Sequence, residues 1–233
     1  MREVAVVVAH PDDETYPFAG TIARLSDAGV RVRVVCATRG EGGWDLSGRA
    51  LSGEALGAER VRELTRSCEQ LGAAPPIVLG LPDGGVEPDP APLRDALASA
   101  APDLLLTLDT DGAYGHVDHL AVTEMVRRAA GDTPVLHAVF PPGLFEPFRA
   151  LMARHAPGAL GLPAGAPLGR EGHDLEVDVR GARDRKLAAI AAHRTQVRGG
   201  DPRRFLFDGL VDALLDAERF RWASEARVRH WPL

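Results

Sequence analysis

Short apolar runs alternate along the chain with longer stretches whose apolar residues recur at helical spacing. The apolar runs contain few polar residues, as expected of strands that are buried on both faces of a parallel sheet. Glycines close several of the helical stretches. This pattern predicts strands at residues 4–9, 30–37, 76–79, 104–108, 135–140 and 174–179, and helices at residues 18–28, 54–71, 90–100, 120–130, 145–154, 181–196 and 202–216.

Alternation of strands and helices predicts an α/β fold with three layers, in which helices cover both faces of a doubly wound, mostly parallel sheet. A chain of 233 residues with 45% hydrophobic content is long enough to bury one sizeable core, so a single domain over residues 1–233 is expected. Residues 141–172 are rich in Pro and Gly. They form either a plain surface connection or a rim or lid over a functional site.

Charge and cysteine content narrow the class of protein. The 27 basic and 33 acidic side chains give a net charge of −6, which offers no general reason to expect nucleic acid or an anionic membrane as a partner. Cys36 and Cys68 are not spaced as a CxxC pair, so we expect two reduced thiols. The amino-terminal apolar run is too short for a signal peptide or a membrane span. A cytoplasmic protein is expected, and a homo-oligomer is left open.

An imidazole and three carboxylates follow the first strand directly. His10, Asp12, Asp13 and Glu14 come after it, and Pro11 ends it. Open α/β sheets bind ligands at the carboxyl ends of their strands. Carboxylates in a partly buried cleft repel one another unless a cation lies between them, and this donor set suits zinc or iron(II). The alternative is a solvated turn or a helix cap.

A second polar cluster follows a later strand. Residues 111–119 read DGAYGHVDH and come after the apolar run 104–108, so that His116 and His119 lie at the start of the helix predicted at residues 120–130. Either histidine by itself is explained as a capping or core residue. Because both clusters follow strand ends, we expect them to converge at the same edge of the sheet and to form a metal site.

The two motifs together resemble a known family. AHPDDE at residues 9–14 and HVDH at residues 116–119 resemble the LmbE-like or PIG-L superfamily of metal-dependent N-deacetylases, which act on N-acetylglucosamine-type sugars and their conjugates. TRGE at residues 38–41 and KLAAIAAHRTQ at residues 186–196 resemble further segments of that family. The resemblance implies a Rossmann-like fold, a hydrolase, a small amino-sugar conjugate as substrate, and one divalent metal per chain, either zinc or iron(II).

The resemblance also implies roles for the motif residues. His10, Asp13 and His119 would bind the metal, and Asp12 would act as general base. Hydrolysis of an amide needs an activated water, stabilisation of charge on the carbonyl oxygen, and a proton for the departing amine. His116 would stabilise charge or protonate the amine.

Three further residues carry roles that the resemblance implies less specifically. Asp118 would hold the ring of His116 in orientation. Tyr114 would polarise the substrate carbonyl, with a packed rim aromatic as the alternative. Glu14 is either a partner of a ligand histidine or the first-turn acid of the next helix, and we favour a structural role.

Arg60 and Asp83 resemble the family's substrate contacts, whereas solvated surface charge is the alternative for both. The sequence therefore predicts a zinc-dependent deacetylase of an N-acetylglucosamine conjugate. The short chain favours the malate conjugate of bacillithiol synthesis over the inositol conjugate of the mycothiol pathway. Two other functions are left open: an amidase that cleaves thiol S-conjugates, and a metal-binding protein without catalytic activity, against which the intact Asp12 argues.

Overall fold

One mixed sheet forms the centre of the molecule. The computed structural model describes residues 1–98, 100–228 and 230–233. Within this part of the chain the strands are β1 (Glu3–Val8), β2 (Arg31–Thr38), β3 (Ala74–Leu81), β4 (Leu104–Leu108), β5 (Val135–Val139), β6 (Leu175–Asp178) and β7 (Ala217–Trp222). Their order across the sheet is β3-β2-β1-β4-β5-β7-β6. The first five are parallel, whereas β7 runs antiparallel to both of its neighbours.

Helices pack on both faces of this sheet. They are α1 (Thr15–Asp27), α2 (Gly53–Leu71), α3 (Ala91–Leu97), α4 (Gly112–Gly115), α5 (Val117–Ala129), α6 (Glu146–His155), α7 (Arg183–Ala192) and α8 (Leu210–Ala213). Ser99, which belongs to the helix predicted at residues 90–100, lies outside the described residues. Across the described parts of the chain, every helix is too short or too polar to cross a membrane.

Alternation along β1 explains why the sheet is covered on both sides. Val4, Val6 and Val8 belong to the hydrophobic cluster beneath α1, α2 and α7, whereas Ala5 and Val7 belong to the cluster beneath α3 and α5. Side chains of a strand point alternately to the two faces, so both faces of β1 must be apolar. The predicted three-layer α/β fold with a mostly parallel sheet is confirmed.

The helix predicted at residues 202–216 is wrong, because only residues 210–213 are α-helical. Five apolar residues of this stretch are buried, as an amphipathic pattern predicts: Phe205, Leu210, Val211, Leu214 and Leu215. However, Leu206 has a φ of 57° and Gly209 a φ of 93°, and such positive values interrupt a right-handed helix.

Strand β7 is missing from the sequence prediction for a different reason. Glu218 and Phe220 both point into the molecule, so the strand does alternate with a period of two. Glu218 is nevertheless charged, and a carboxylate at a core position hides the alternation from a hydrophobicity pattern.

A buried ion pair explains that carboxylate. Lys186 of α7 and Glu218 are at most 2% exposed, and Nζ of Lys186 lies 2.6 Å from Oε1 of Glu218. Lys186 also donates to the carbonyl oxygens of Tyr16 and Leu214, both at 2.9 Å. Glu218 in turn accepts the backbone N–H of Gly20 at 2.9 Å. The pair therefore joins α7, β7 and the first turns of α1.

Replacement of Glu218 by Gln tests this arrangement, because it leaves the ammonium of Lys186 buried without a negative partner. We expect the variant E218Q to lower the free energy of unfolding by about 3–5 kcal/mol, as removal of one partner of a buried pair does. Urea denaturation measures the change. The matched control D178N breaks the exposed pair with Arg180 and should unfold close to the parent. Equal stability of both variants would contradict a structural role for the Lys186–Glu218 pair.

Candidate metal centre and catalytic cavity

The two polar motifs meet because the strands that carry them are neighbours. Strand β1 pairs with β4 in parallel, so their carboxyl ends lie side by side. The turn after β1 brings in residues 10–14, and α4 and α5 after β4 bring in residues 114–119. The predicted convergence of the two clusters at one edge of the sheet is confirmed.

Three side chains form a compact donor triangle. Nδ1 of His10 lies 3.3 Å from Oδ2 of Asp13, and Nε2 of His119 lies 3.2 Å from each of these two atoms. Ligands of a tetrahedral zinc ion at the usual bond lengths are about 3.3 Å apart. The predicted ligand residues therefore have the spacing that a divalent cation requires, and all three are at most 7% exposed.

The remaining ring nitrogens of the two histidines contact oxygen atoms. Nδ1 of His119 lies 3.0 Å from the carbonyl oxygen of Gly112, and Nε2 of His10 lies 3.1 Å from Oδ2 of Asp118. Such partners fix the tautomer and orientation of a ligand histidine, and leave the other nitrogen free to coordinate. The carboxylate of Asp118 also accepts the backbone N–H groups of Gly84 and Val86.

Electrostatics around His10 favour a positive charge at this position. Asp83 contacts Nε2 of the ring at 3.2 Å, from the turn after β3. Burial by itself would lower the pKa of His10, but the hydrogen bonds to Asp118, Asp13 and Asp83 outweigh it and raise that pKa well above its usual value. Three carboxylates thus surround one imidazole, and a cation between them would relieve their repulsion.

His116 occupies the amino-terminal cap of α5, as its capping alternative predicts, and it also lines the cavity. Its Nδ1 accepts the backbone N–H of Asp118 at 3.2 Å. The carboxylate of Asp118 contacts His10 instead, so the prediction that this side chain orients His116 is corrected: the backbone of Asp118 does so. Burial, together with His10 and His119, lowers the pKa of His116 to about 3. The ring is therefore neutral near pH 7 and carries its proton on Nε2. A ring nitrogen of His116 also lies within 4.8 Å of donor atoms of His10 and His119.

Asp12 stands beside the donor triangle with a strained backbone. Its φ is 133°, in a region that L-residues other than Gly rarely adopt. Its Oδ2 lies 3.2 Å from Nη2 of Arg60, and burial raises its pKa to about 6 in spite of that guanidinium. Arg60, predicted as a substrate contact, is only 4% exposed and also donates to the carbonyl oxygens of Pro11 and Gly40. In this structure Arg60 holds the carboxylate of Asp12 and the two loops beside it.

Glu14 fits neither of the two interpretations that the sequence suggested. It is completely buried, and although it is the cap residue of α1, its side chain does not cap that helix. Its carboxylate instead accepts hydrogen bonds from Ser67 at 2.5 Å and from the backbone N–H of Asp12 at 3.0 Å, and lies 2.6 Å from Nε2 of His193. Burial lowers the pKa of His193, but Glu14 outweighs it and raises that pKa. The sequence assigned no role to His193, although it lies in the motif at residues 186–196.

Tyr114 lies in a turn that only unusual backbone angles allow. Gly112, Ala113 and Gly115 all have positive φ values. The phenol ring packs 5.1 Å from the ring of His119 and 4.8 Å from that of Phe148. Burial raises the pKa of its hydroxyl well above the usual value, so the group remains a hydrogen-bond donor. Tyr114 thus packs as a rim aromatic and also faces the site.

A cavity of about 240 Å³ opens over these groups. Its apolar wall includes side chains from α6 and from residues 156–159, so part of the segment 141–172 borders the site; a lid movement of this segment stays a prediction. Sequence reasoning missed several lining residues, including Trp44 and Gln196. These two residues reach the cavity because the loop around Trp44 contacts the segment that follows α7. The lining comprises His10, Asp12, Asp13, Tyr16, Gly42, Gly43, Trp44, Arg60, Asp83, Gly84, Tyr114, His116, Phe148, Met152, Ala156, Ala159, Gln196, Phe205 and Leu206.

Comparisons with known proteins agree with this geometry. Residues 5–130 match the family model PIG-L, described as GlcNAc-PI de-N-acetylase. The 1D-myo-inositol 2-acetamido-2-deoxy-alpha-D-glucopyranoside deacetylase of Gordonia bronchialis is 34% identical over 82% of this chain and 83% of its own length. A protein of the same name from Corynebacterium glutamicum strain R is 30% identical over 99% of this chain and 84% of its own length.

A solved structure of a deacetylase has a similar fold. The N,N'-diacetylchitobiose deacetylase of Pyrococcus horikoshii superposes with a TM-score of 0.69 at 25% identity, over 95% of this chain and 83% of that one. These relatives are named for amino-sugar deacetylation, and their names give no support to the malate conjugate that chain length favours.

Removal of single site residues tests the donor triangle without reference to any reaction. We expect H119A to lose stoichiometric zinc, because one of its three donors is gone. D118N should bind zinc about 10- to 100-fold more weakly, because Nε2 of His10 loses one of its two charged partners. Competition with a chromogenic chelator measures both affinities, and circular dichroism checks the fold. The control D132N, at an exposed acid, should match the parent. Parental zinc affinity in H119A would refute the assignment.

Proposed function

Because the chain belongs to the PIG-L, or LmbE-like, family of de-N-acetylases, we propose that it hydrolyses the N-acetyl group of an N-acetylglucosamine-type sugar or conjugate, releasing acetate and a free amine. One observation carries the proposal: the buried carboxylate of Asp12 stands next to Asp13 of the donor triangle, at the floor of a cavity. A metal site that served structure alone would not need, beside its ligands, a second carboxylate that is not one of them.

The donor triangle of His10, Asp13 and His119 supports one divalent cation per chain. Two imidazoles and one carboxylate form a common set for catalytic zinc, which keeps a further position open. We therefore propose zinc, with iron(II) as the alternative. When bound, the cation would supply Lewis acidity that polarises the amide carbonyl and makes a water molecule more acidic.

Residues of the chain itself would carry the proton transfers. Asp12 takes a proton from the attacking water, whose oxygen forms a bond to the carbonyl carbon. Tyr114 and Nε2–H of His116 donate hydrogen bonds to the oxygen on which negative charge develops. When the C–N bond breaks, Asp12 passes its proton to the departing amine. The neutral ring of His116 favours the role of hydrogen-bond donor over that of acid, because it carries no readily lost proton.

Recognition of the sugar would come from the polar side of the cavity. Asp83 lines it and would accept hydrogen bonds from sugar hydroxyls, whereas Arg60 would act there chiefly by holding Asp12. The relatives' names favour an inositol conjugate as substrate. The malate conjugate and a thiol S-conjugate are the alternatives that a substrate panel separates.

Release of acetate and free amine from this panel, with metal-free protein and after addition of zinc or iron(II), tests the proposal. We expect turnover of an N-acetylglucosamine conjugate only with metal. D12N should lower kcat by about 100- to 10,000-fold, the usual contribution of a general base. Y114F should lower kcat by about 100-fold, as loss of a donor to the developing charge does.

Zinc titration provides the control for both variants. Each should bind zinc nearly as tightly as the parent, since neither side chain belongs to the donor triangle. Parental turnover by D12N with normal zinc content would refute Asp12 as the base. Absence of turnover on every substrate, with zinc tightly bound, would contradict the proposed deacetylation.

A further inference from the structure

Trp44 combines two properties that no step of the proposed reaction uses. It lines the catalytic cavity, and it is 50% exposed. This is the highest exposed fraction among the large hydrophobic residues of the described chain. Isolated exposed apolar side chains are common on protein surfaces. A half-exposed indole that lines a catalytic cavity is different, because a ligand in the cavity can contact it.

The backbone around Trp44 is held on both sides. Nε2 of Gln196 donates to the carbonyl oxygen of Trp44 at 2.9 Å, and the N–H of Leu46 donates to the carbonyl oxygen of Thr195 at 2.7 Å. On the other side, the N–H of Gly42 donates to Oδ2 of Asp83 at 2.8 Å. The indole is therefore presented by a preorganised loop, which lowers the entropic cost of using it as a binding surface.

Close packing of Gly40 and Gly43 against the guanidinium of Arg60 also fixes the loop that carries Trp44. A Cβ atom at Gly40 or Gly43 would lie 2.4 Å or 2.7 Å from Nη1 of Arg60. These positions thus admit only glycine without a shift of the guanidinium that holds Asp12. Arg60 therefore supports both Asp12, the proposed base, and the loop that carries Trp44.

Cavity size determines which part of a substrate reaches Trp44. Pockets that enclose drug-sized ligands measure about 300–1,000 Å³, whereas this cavity holds about 240 Å³. An amide at the buried donor triangle therefore leaves room for little more than the sugar ring that bears it. We therefore expect the group attached to that sugar, its aglycone, to extend to the exposed part of the cavity lining, which includes Trp44.

We propose that Trp44 is a specificity-determining residue that binds the aglycone through the flat face of its indole. Such a face complements a ring that presents a row of C–H bonds, as a cyclitol, a second sugar or a cyclohexyl group does. An open-chain hydroxy acid offers no comparable face. This inference rests on the proposed deacetylation, and it selects ring-shaped aglycones over acyclic ones.

Kinetics on paired substrates test the proposal. The cyclohexyl and methyl glycosides of N-acetylglucosamine differ only in the aglycone. In W44A we expect kcat/KM for the cyclohexyl glycoside to fall about tenfold through a higher KM, the size of one good aromatic contact. For the methyl glycoside, kcat/KM should change less than about twofold in W44A, because a methyl group is too small to make this aromatic contact. W44F should recover most of the loss.

Leu46 provides a matched control. It lies on the same loop and is 40% exposed, but it is not among the residues that line the cavity. L46A should behave as the parent towards both glycosides. An equal loss for the two glycosides in W44A, or the same pattern in L46A, would overturn the proposal.

A binding measurement separates this inference from the proposed reaction. Calorimetry with cyclohexyl glucosaminide, the amine product, needs no turnover. If the parent releases no acetate from either glycoside, the proposed reaction fails. Weaker binding of the amine by W44A than by the parent would still support the role of Trp44, whereas equal binding would overturn it.

Discussion

The imidazole of His10 holds together three segments that are distant in sequence. One ring nitrogen faces Asp13 and His119, and the other faces Asp83 and Asp118. The turn after β1, the turn after β3 and the first turn of α5 are thereby fixed around one side chain. Carboxylates brought this close in a buried place repel one another, so the site depends on positive charge at its centre.

Strain at Asp12 has a corresponding support. Its unusual backbone angle persists because Glu14 accepts its N–H, while Ser67 and His193 hold Glu14 from α2 and from the end of α7. A backbone conformation that is unfavourable by itself is retained only when its surroundings determine it fully. The carboxylate of Asp12, which we propose as the base, is thus positioned before any substrate arrives, and such positioning is the condition for efficient proton transfer.

The order of apolar and polar residues within single segments was sufficient to predict most strands and helices and the polar residues that follow them. The strands, the two polar clusters at their ends and the convergence of these clusters follow from apolar runs that lead into acids and histidines, whereas the set of three donors came from the resemblance to the family. Strand β7 was hidden because Glu218 is a charge on a buried face, and its partner Lys186 lies far away in sequence. The contact between Asp118 and His10, and the position of Trp44 at the cavity, depend on how separate loops meet. No spacing within one segment encodes such contacts.

The ion pair between Lys186 and Glu218 also bears on the order in which the molecule is completed. Through Gly20, the carboxylate of Glu218 contacts a helix 198 positions earlier in the chain. That helix follows the turn which carries Asp12 and Asp13, so this part of the site gains its support from β7, a strand that is synthesised much later. Contacts of such long sequence separation form slowly, because the intervening chain must first be ordered. On the ribosome, the turn that carries Asp12 and Asp13 would emerge long before β7, the strand that secures it.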